Sequence, residues 1–320
     1  MSLTVGVDVG GTKIAAGVVD PEGRVLARGR RESPASDPDA IEATILDLVT
    51  DLRAEVAGAG DPAIEAVGVG AAGFIDAGRS TILFSPNLAW RDEPLRADLE
   101  RLLDLPVVIE NDGNAAAWGE FCFGAGRDVD DLLLITVGTG VGGGIVLDGR
   151  LHRGASGISA EVGHLRVVPQ GRPCGCGNRG CWEQYASGSA LVADTREAAA
   201  ADPAGAADLI AAAGGEVAAI DGPLVTALAA GGDAFARARL ADLGRWLGEG
   251  VASLCAVLDP ARIVVGGGVA AAGDLLLDPL REALTGELIG RDARPVPDVR
   301  LAALGNDAGM LGAADLARRP

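Results

Sequence analysis

A pattern of short elements occurs twice in this chain and limits the folds that it can adopt. Each copy contains a strand, a glycine-rich turn, a second strand and another tight turn. The first copy spans residues 3–23 with its glycine turn at Gly10-Gly11, and the second spans 132–150 with its glycine turn at 138–144. This repetition predicts an internal duplication in which each half presents one turn of a size that suits a phosphate group.

The segments that follow each copy alternate between helix and strand patterns. Strands that alternate with helices predict the α/β class. The chain has no Pro/Ser-rich linker, which favours domains packed around a cleft. The further predicted elements are a helix starting at Asp37, a strand near 66–72, a helix over 94–103, a strand over 106–109, a helix from 113, an Ala-rich helical layer over 191–258 with a long helix over 234–257, a strand over 262–265 and a closing helix from Asp307.

The charge balance of the chain excludes several classes of partner. Its 27 basic and 45 acidic side chains give a net charge of −18, which disfavours nucleic acids and anionic membrane surfaces. The uncharged run over 132–147 is too short and too rich in glycine for a spanning helix. The N-terminus has no basic stretch and reaches Asp8 early, so it does not resemble a secretory signal, and a cytoplasmic location is expected.

The first glycine turn follows a carboxylate at a strand end, in the run Asp8-Val9-Gly10-Gly11-Thr12-Lys13. Backbone N–H groups of such a turn can face an anion, so phosphate binding is the functional interpretation. The alternative is an ordinary hairpin turn. The run is not a Walker A loop, because it continues into a strand rather than a helix.

The second turn, Gly138-Thr139-Gly140-Val141-Gly142-Gly143, satisfies the spacing of a dinucleotide fingerprint. Such a fingerprint opens a helix, whereas this run leads into another strand, so a second phosphate turn is favoured. Gly266-Gly267-Gly268 after a strand allows close approach of a flat ligand such as a nucleoside, or is a packing turn of small residues.

A polar triplet, Glu110-Asn111-Asp112, lies where a strand meets a helix. Carboxylates at the carboxyl end of a parallel strand face the crevice in which α/β proteins bind ligands. An aspartate there can accept the proton of a hydroxyl that attacks a phosphoryl group. The alternative is that Asn111 or Asp112 only caps the helix.

The strongest chemical signal is the spacing His164, Cys174, Cys176 and Cys181. One imidazole and three thiolates make a closed, structural zinc site, and a set of core or free cysteines is the alternative. Cys122 and Cys255 are expected to be packing residues, and His152 a surface histidine. Glu161 and Glu183 flank the zinc segment, and fixed carboxylates beside it suit a ligand rich in hydroxyl groups, such as a sugar.

These motifs are similar to those of the ROK family of sugar kinases and repressors, and within it to the glucokinases. The similar segments are Asp8 to Lys13, Glu110 to Asp112, Glu161 to His164, Cys174 to Glu183, the sugar loop Ser85-Pro86-Asn87-Leu88-Ala89-Trp90, and Gly305 to Gly309. The resemblance implies an actin-like fold of two ribonuclease-H-like domains with a sugar and a nucleotide between them. We expect a small α/β domain of residues 1–112 with 306–320, and a large one of 113–305 that contains the zinc loop 164–181.

The resemblance also implies an activity, the ATP-dependent phosphorylation of glucose at its 6-hydroxyl, with Asp112 as the general base. It implies Mg²⁺ and a structural zinc ion as cofactors. It further implies a homo-oligomer, either a dimer or a tetramer. Ser159-Ala160 departs from the family, in which glycine often precedes the glutamate. The implied sugar contacts are Asn87, Asn111, Asp112, Glu161, His164 and Glu183, with 73–76 bordering the sugar. Asp8 is implied to help place the waters of the metal ion. The implied nucleotide contacts are Asp8, Gly10, Gly11, Thr12, Lys13, Gly138, Thr139, Gly140, Gly266, Gly267 and Gly268. The implied zinc ligands are His164, Cys174, Cys176 and Cys181.

The motifs are also compatible with other substrates and functions. The chain could phosphorylate fructose, mannose or an N-acetylated hexosamine, or use polyphosphate as the donor. A sugar-sensing repressor would need a DNA-binding segment before the first turn, and only seven residues precede Asp8. A catalytically silent sugar-binding protein is disfavoured by Asp112 and the two glycine turns.

Overall fold

The structure is a computed structural model that describes residues 2–59 and 62–319. Its strands are β1 Leu3–Val9, β2 Lys13–Val19, β3 Val25–Glu32, β4 Ile64–Ala71, β5 Phe74–Ile75, β6 Ile82–Phe84, β7 Arg91–Glu93, β8 Val107–Asn111, β9 Leu132–Val137, β10 Val141–Leu147, β11 Arg150–Leu151, β12 Arg262–Gly266 and β13 Asp298–Leu301. Its α-helices are α1 Pro38–Ala59, α2 Leu95–Leu103, α3 Asp112–Phe123, α4 Glu183–Ala186, α5 Gly188–Ala201, α6 Ala207–Ala212, α7 Gly222–Gly231, α8 Ala234–Leu258, α9 Asp274–Glu287 and α10 Ala308–Ala317.

The two larger sheets of the described chain have the same strand order. The first runs β3-β2-β1-β4-β8, with β1 antiparallel to β2 and parallel to β4. The second runs β11-β10-β9-β12-β13. When only the strands of each sheet are numbered, in chain order, both sheets run third, second, first, fourth, fifth. The predicted α/β class and the predicted duplication of the strand pattern are confirmed by this shared order.

Helix α10 lies directly on the backbone of β1 and β4. A Cβ atom at Gly6 would be 1.9 Å from the Met310 carbonyl oxygen, and one at Gly68 would be 1.8 Å from that of Ala313. Any larger residue at either position would push the helix away from the sheet. The two glycines therefore allow α10 to bury all of its residues, 308–317.

The opposite face of the first sheet carries the main apolar core of this half. Val5, Val7 and Val9 point to the face of β1 opposite Gly6, because successive strand residues point to opposite faces. All three valines are fully buried. They belong to the same cluster as Ile41 and Ile45 of α1. The start predicted for α1 is confirmed, since the Asp37 carboxylate accepts a hydrogen bond from the Ala40 amide at 3.2 Å.

The second glycine turn is shorter than the sequence predicts. The turn covers 138–140, and Gly142, Gly143 and Gly144 belong to β10. The predicted turn over 138–144 was therefore wrong at its end. The physical reason is packing, since a Cβ atom at Gly144 would be 2.4 Å from Ala117 Cβ and 2.7 Å from the Gly113 carbonyl oxygen. Gly144 therefore permits close contact with α3 instead of shaping the turn.

Helix α8 was predicted over 234–257 and extends over Ala234–Leu258. It packs against α9 through glycines one turn apart. A Cβ atom at Gly244 would be 2.7 Å from the Leu276 carbonyl oxygen, and one at Gly248 would be 2.4 Å from that of Leu280. The small three-stranded sheet β5-β6-β7 was not predicted, because its strands have only two or three residues each and show no periodic pattern.

The chain forms two compact units. One comprises 1–134, 143–160 and 302–320, and the other comprises 135–142 and 161–301. The domain division expected from the sequence, 1–112 with 306–320 and 113–305, stays a prediction. Every helix within 2–59 and 62–319 is too short or too polar to cross a lipid bilayer.

Candidate functional site

In the first unit, the predicted phosphate turn joins β1 to β2. The Gly10 amide donates a hydrogen bond to the Lys13 carbonyl at 3.0 Å, which closes the turn. A Cβ atom at Gly11 would be 3.4 Å from the Asn87 carbonyl oxygen, so the predicted sugar loop lies against the turn. That loop is held by Ser85, whose hydroxyl donates to the Ala72 carbonyl at 2.6 Å. Thr12 and Asn87 are exposed and accessible to a ligand.

Asp8 and Asp112 lie at the same edge of the first sheet. Asp8 of β1 is in register with Gly70 of β4, which is in register with Glu110 of β8, two residues before Asp112. Burial, and after it the negative charge of Asp112, raises the pKa of Asp8 to about 6. Burial also raises the pKa of Asp112 above its ordinary value, although a hydrogen bond from the Gly113 amide opposes the shift. The edge therefore holds two carboxyl groups, each with a raised affinity for protons.

Both polar atoms of the Asn111 side chain form hydrogen bonds. Its Oδ1 accepts a hydrogen bond from the Asn114 amide at 3.0 Å and so caps α3. Its Nδ2 donates to the Gly73 carbonyl at 3.1 Å. The capping interpretation thus holds for Asn111, and its contact with a sugar stays a prediction. Asp112, the first residue of α3, directs its Oδ1 to the amide of Gly113 at 3.0 Å.

In the second unit, the predicted second phosphate turn adjoins Glu183. The Gly138 amide donates to the Gly140 carbonyl at 3.0 Å. A Cβ atom at Gly140 would be 2.8 Å from Glu183 Oε2, so glycine leaves room for this carboxylate. The Gly188 amide, at the start of α5, donates to the Gly138 carbonyl at 2.8 Å. The turn, Glu183 and α5 therefore form one packed arrangement.

The glycines after β12 divide between the two interpretations that the sequence leaves open. Gly267 has φ of +87°, and a Cβ atom there would be 2.4 Å from the Val137 carbonyl oxygen, which is the packing role. No atom lies within 4 Å of a Cβ atom placed at Gly268, so the space beside this residue can hold a ligand. Gly266 is the buried last residue of β12. A role for the three in binding adenosine stays a prediction.

The predicted zinc ligands converge. One ligand atom from each of His164, Cys174, Cys176 and Cys181 lies within 4.8 Å of the others. Cys176 Sγ is 3.7 Å from Cys181 Sγ, and Cys174 Sγ is 3.7 Å from His164 Nδ1. Ligands bonded to zinc at about 2.0–2.3 Å in a tetrahedron are roughly 3.3–3.8 Å apart, so the donor set fits this ion. The four residues could therefore hold zinc with small adjustments.

The loop that carries the cysteines folds locally because of its glycines. Gly177 and Gly180 have φ of +89° and +76°, which side chains other than glycine rarely adopt. A Cβ atom at Gly180 would be 1.7 Å from the Val168 carbonyl oxygen, so only glycine fits there. The Cys174 amide donates to the Asn178 carbonyl at 2.9 Å and closes the loop between the ligands.

The His164 ring faces two kinds of partner. Its Nδ1 lies beside Cys174 and is 3.7 Å from Glu183 Oε1, whereas its Nε2 is 4.0 Å from Glu161 Oε2. Nδ1 is thus the atom turned toward the metal ligands, and Nε2 is turned toward the second carboxylate. The structure therefore brings together Glu161, His164 and Glu183, as the sequence predicted.

The remaining cysteines and the second histidine lie elsewhere, as predicted. Cys255 is buried in α8, and the partly buried Cys122 thiol donates to Asp315 Oδ2 at 3.6 Å. His152 is exposed. None of the cysteines, all of which lie in the described part of the chain, forms a disulfide.

A model of the ROK family matches residues 4–320. The chain belongs to the ROK family. Among ROK relatives, it is 48% identical over 320 residues to the glucokinase of Streptomyces coelicolor, an alignment that covers 100% of this chain and 99% of the relative. It is 37% identical over 309 residues to the glucokinase of Halalkalibacterium halodurans, covering 96% and 92% of the two chains.

The same family relationship is found among solved structures. The crystal structure of a ROK family glucokinase from Streptomyces griseus, in complex with glucose and AMPPNP, superposes with a TM-score of 0.87 at 49% identity, covering 100% of both chains. This ROK chain accordingly has the actin-like sugar kinase fold that the resemblance implied.

Sequence reasoning missed residues that support the predicted site of this ROK protein. Arg172 of the zinc loop bonds to Tyr185 and to the Gln184 carbonyl beside Glu183. Arg153 forms an ion pair with Glu110 at 2.5 Å. Arg153, Arg172 and Tyr185 are not part of a motif singled out in the sequence. The Arg153 pair joins residues 43 positions apart, so no local pattern in the sequence announces it.

Proposed function

We propose that this chain is a glucokinase that transfers the γ-phosphoryl group of ATP to the 6-hydroxyl of glucose. The observation that supports the proposal most is the position of the half-buried Asp112 at the carboxyl edge of the first sheet, where its charge acts on the Asp8 carboxyl group beside the first glycine turn. Full-length similarity to a glucokinase that binds glucose and AMPPNP supports the choice of sugar and donor.

In the proposed reaction, Asp112 accepts the proton of the 6-hydroxyl while that oxygen attacks the γ-phosphorus of ATP. The new bond joins the sugar oxygen to phosphorus, and the bond from phosphorus to the oxygen that bridges the β- and γ-phosphates breaks. The products are glucose 6-phosphate and ADP, and the proton remains on Asp112 until solvent removes it. The raised pKa of Asp112 makes it a stronger base than an ordinary aspartate.

The phosphate groups would be held by backbone amides and by Lys13. Gly10, Gly11 and Thr12 supply the first turn, and Gly138 to Gly140 supply the second. Mg²⁺, when bound with the nucleotide, neutralises phosphate charge. Asp8 is an oxygen donor of the type that Mg²⁺ prefers, and we assign it the role of orienting the waters of that ion.

The sugar would be recognised by Asn87, Asn111, Glu161, His164 and Glu183. Zinc, when bound by His164, Cys174, Cys176 and Cys181, supplies structural cross-linking of this loop and no open coordination position. The Cys174 thiol lies 3.0 Å from Glu183 Oε1. The position of the Glu183 carboxylate therefore depends on the conformation of the zinc loop. A homo-oligomeric state and a cytoplasmic location also stay predictions.

A coupled assay with glucose, mannose, fructose and N-acetylmannosamine, each with ATP and with polyphosphate, tests the proposal. Glucose with ATP should give the highest kcat/KM, since a sugar that leaves one of the polar groups unpaired loses about 1–3 kcal/mol of binding free energy for each. A higher kcat/KM for fructose or N-acetylmannosamine would contradict the glucose assignment, and a preference for polyphosphate would contradict the ATP assignment.

A further inference from the structure

Arg172 belongs to the zinc loop and bonds both to the segment that carries the cysteines and to helix α4, which begins with Glu183. Its backbone carbonyl accepts a hydrogen bond from the Gly180 amide at 2.8 Å, one residue before Cys181. Its backbone amide donates to the Tyr185 hydroxyl at 2.8 Å. The main chain of this single residue therefore bonds to both the loop that carries the metal ligands and the helix that carries the carboxylate.

The Arg172 side chain strengthens the same connection. Its Nη1 donates to the Gln184 carbonyl at 2.9 Å, next to Glu183 in the chain. The guanidinium also forms a two-point ion pair with Asp194 of α5, with Nη2 to Oδ1 at 2.7 Å and Nη1 to Oδ2 at 3.2 Å. Paired contacts of this type fix the plane of the guanidinium as well as its position.

The guanidinium and Tyr185 form a packed pair. The Arg172 Cζ atom is 4.9 Å from the centre of the Tyr185 ring, and this ring is 4.8 Å from that of Trp246 on α8. A Cβ atom at Gly171 would be 2.1 Å from the Tyr185 hydroxyl, so the chain passes as close to that oxygen as glycine permits. Tyr185 itself is buried. The rotation of α4 is thus set by contacts with Arg172 on one side and Trp246 on the other.

We propose that Arg172 is a positioning residue, which sets the direction of the Glu183 carboxylate and thereby the affinity for the sugar. This inference rests on the proposed function, since it assigns Glu183 to sugar binding. Arg172 is neither a zinc ligand nor a group that touches the reacting atoms. An interaction with the sugar that is equal in the ground state and the transition state changes KM and leaves kcat unaltered.

The test uses Arg172→Met, which keeps most of the apolar stem over Tyr185 and removes the guanidinium. We expect the KM for glucose to rise at least about tenfold, with kcat within about threefold of wild type, because uniform binding is lost. The KM for ATP and the zinc content should stay unchanged. Arg172→Lys keeps the charge opposite Asp194 without the two-point geometry, so it should restore part of the affinity.

Two further variants keep the test decisive. Tyr185→Phe removes only the hydroxyl that accepts from the Arg172 amide, and it should raise the KM for glucose in the same direction. Arg245→Met is the matched control, because Arg245 lines the same cavity of about 320 Å³ as Arg172 but pairs with Glu249 of its own helix at 2.8 Å. It should leave the KM for glucose at the wild-type value.

The inference is overturned if Arg172→Met has a KM for glucose within twofold of wild type, if Arg245→Met raises that KM equally, or if zinc is lost in proportion to the rise. The proposed function is judged separately, by the wild-type protein on the panel of sugars. If the wild type prefers another hexose, the Arg172 comparison is made with that sugar, so the two failures are distinguishable.

Discussion

Arg153 donates a hydrogen bond from its Nε to the Glu110 carboxylate at 2.5 Å, in a setting where the Glu110 side chain is only 3% exposed. The Glu110 carboxylate also accepts from Asn114 Nδ2 at 3.1 Å and has Arg79 Nε at 3.6 Å. Burial, and after it the charge of Arg153, lowers the pKa of Arg79 to about 10. The strand end that carries Asn111 is therefore anchored by a buried carboxylate between two guanidinium groups.

Breaking this pair should destabilise the protein strongly. Arg153→Met leaves the Glu110 charge poorly compensated, and we expect the free energy of unfolding to fall by about 3 kcal/mol in urea denaturation. The double variant Glu110→Gln with Arg153→Met removes both charges and should recover part of that loss. The control is Arg31→Met, which breaks an exposed pair with Asp51 and should cost under about 1 kcal/mol. A loss at Arg153 no larger than at Arg31 would show that the pair does not anchor the strand.

Asp112→Asn should lower kcat by about 10²–10⁴-fold, the range for loss of a general base. The affinity for glucose should change little, since the amide keeps the size and much of the hydrogen bonding of the carboxylate. In the wild type, a base must be deprotonated, so kcat should decline as the pH falls through an apparent pKa above the ordinary aspartate value. Steady-state kinetics measure both effects. Asp104→Asn, at an exposed position, is the control, and a mutant at position 112 that retains over a tenth of the wild-type rate contradicts the assignment.

Cys176→Ser should lose zinc and sugar binding but keep most of its secondary structure. The ligands span only residues 164 to 181, so the effect is expected to be local in a chain of this size. Elemental analysis, circular dichroism and glucose titration test the three parts. Cys122→Ser is the matched control, because Cys122 lies apart from the cluster and should keep one zinc ion per chain. Active protein without zinc, or full activity in the Cys176 variant, would exclude the proposed structural role.

Ala160→Gly should stabilise the protein. Ala160 has φ of +67°, directly before Glu161, and a residue with a Cβ atom in this conformation costs about 1–2 kcal/mol relative to ordinary backbone. Glycine removes that strain, while its greater freedom in the unfolded chain offsets part of the gain, so we expect a net increase of about 1 kcal/mol in the free energy of unfolding. Ala77→Gly, at an exposed turn outside the left-handed region, should give a small decrease. Equal changes at both positions would rule out relief of strain at Ala160.

Glu42→Gln should stabilise the protein at high pH and have little effect at low pH. Burial and the nearby Asp98, Glu93 and Asp39 carboxylates raise the pKa of Glu42 to about 7, while Arg101 opposes the shift. The folded state therefore binds the Glu42 proton more tightly than the unfolded state, so this contribution to stability is complete below about pH 4.5 and is lost as the pH rises through about 7.

At pH 8 the glutamine variant should exceed the wild type in free energy of unfolding by about 1–3 kcal/mol, since one pKa unit corresponds to about 1.4 kcal/mol. At pH 4.5 the difference should shrink. Glu55→Gln, on the exposed side of α1, provides the control and should show no such dependence on pH. A gain at position 42 that is the same at both values of pH would disprove the linkage.

Features that depend on neighbouring residues could be predicted from the amino-acid sequence. The alternation in β1 and the period of α8 are local, so their extents could be predicted closely. The zinc ligands lie within 18 residues of one another, and glycines at 177 and 180 permit the tight loop, so the metal cluster could be read from spacing alone. The placement of Glu110 to Asp112 at the ligand-facing end of a strand followed from a general property of parallel sheets, whereas the closeness of Asp112 to Asp8 depends on the register of the sheet.

Contacts between residues that are distant in the chain could not be predicted in this way. Gly6 faces the Met310 carbonyl, and Arg153 reaches Glu110, because the path of the chain brings them together. Gly142 to Gly144 look like turn residues in the sequence, yet Gly144 lies in a strand where α3 leaves no space for a side chain. Backbone preference and short spacing are encoded locally, whereas close packing and the burial of charge depend on which surfaces meet when the whole chain has folded.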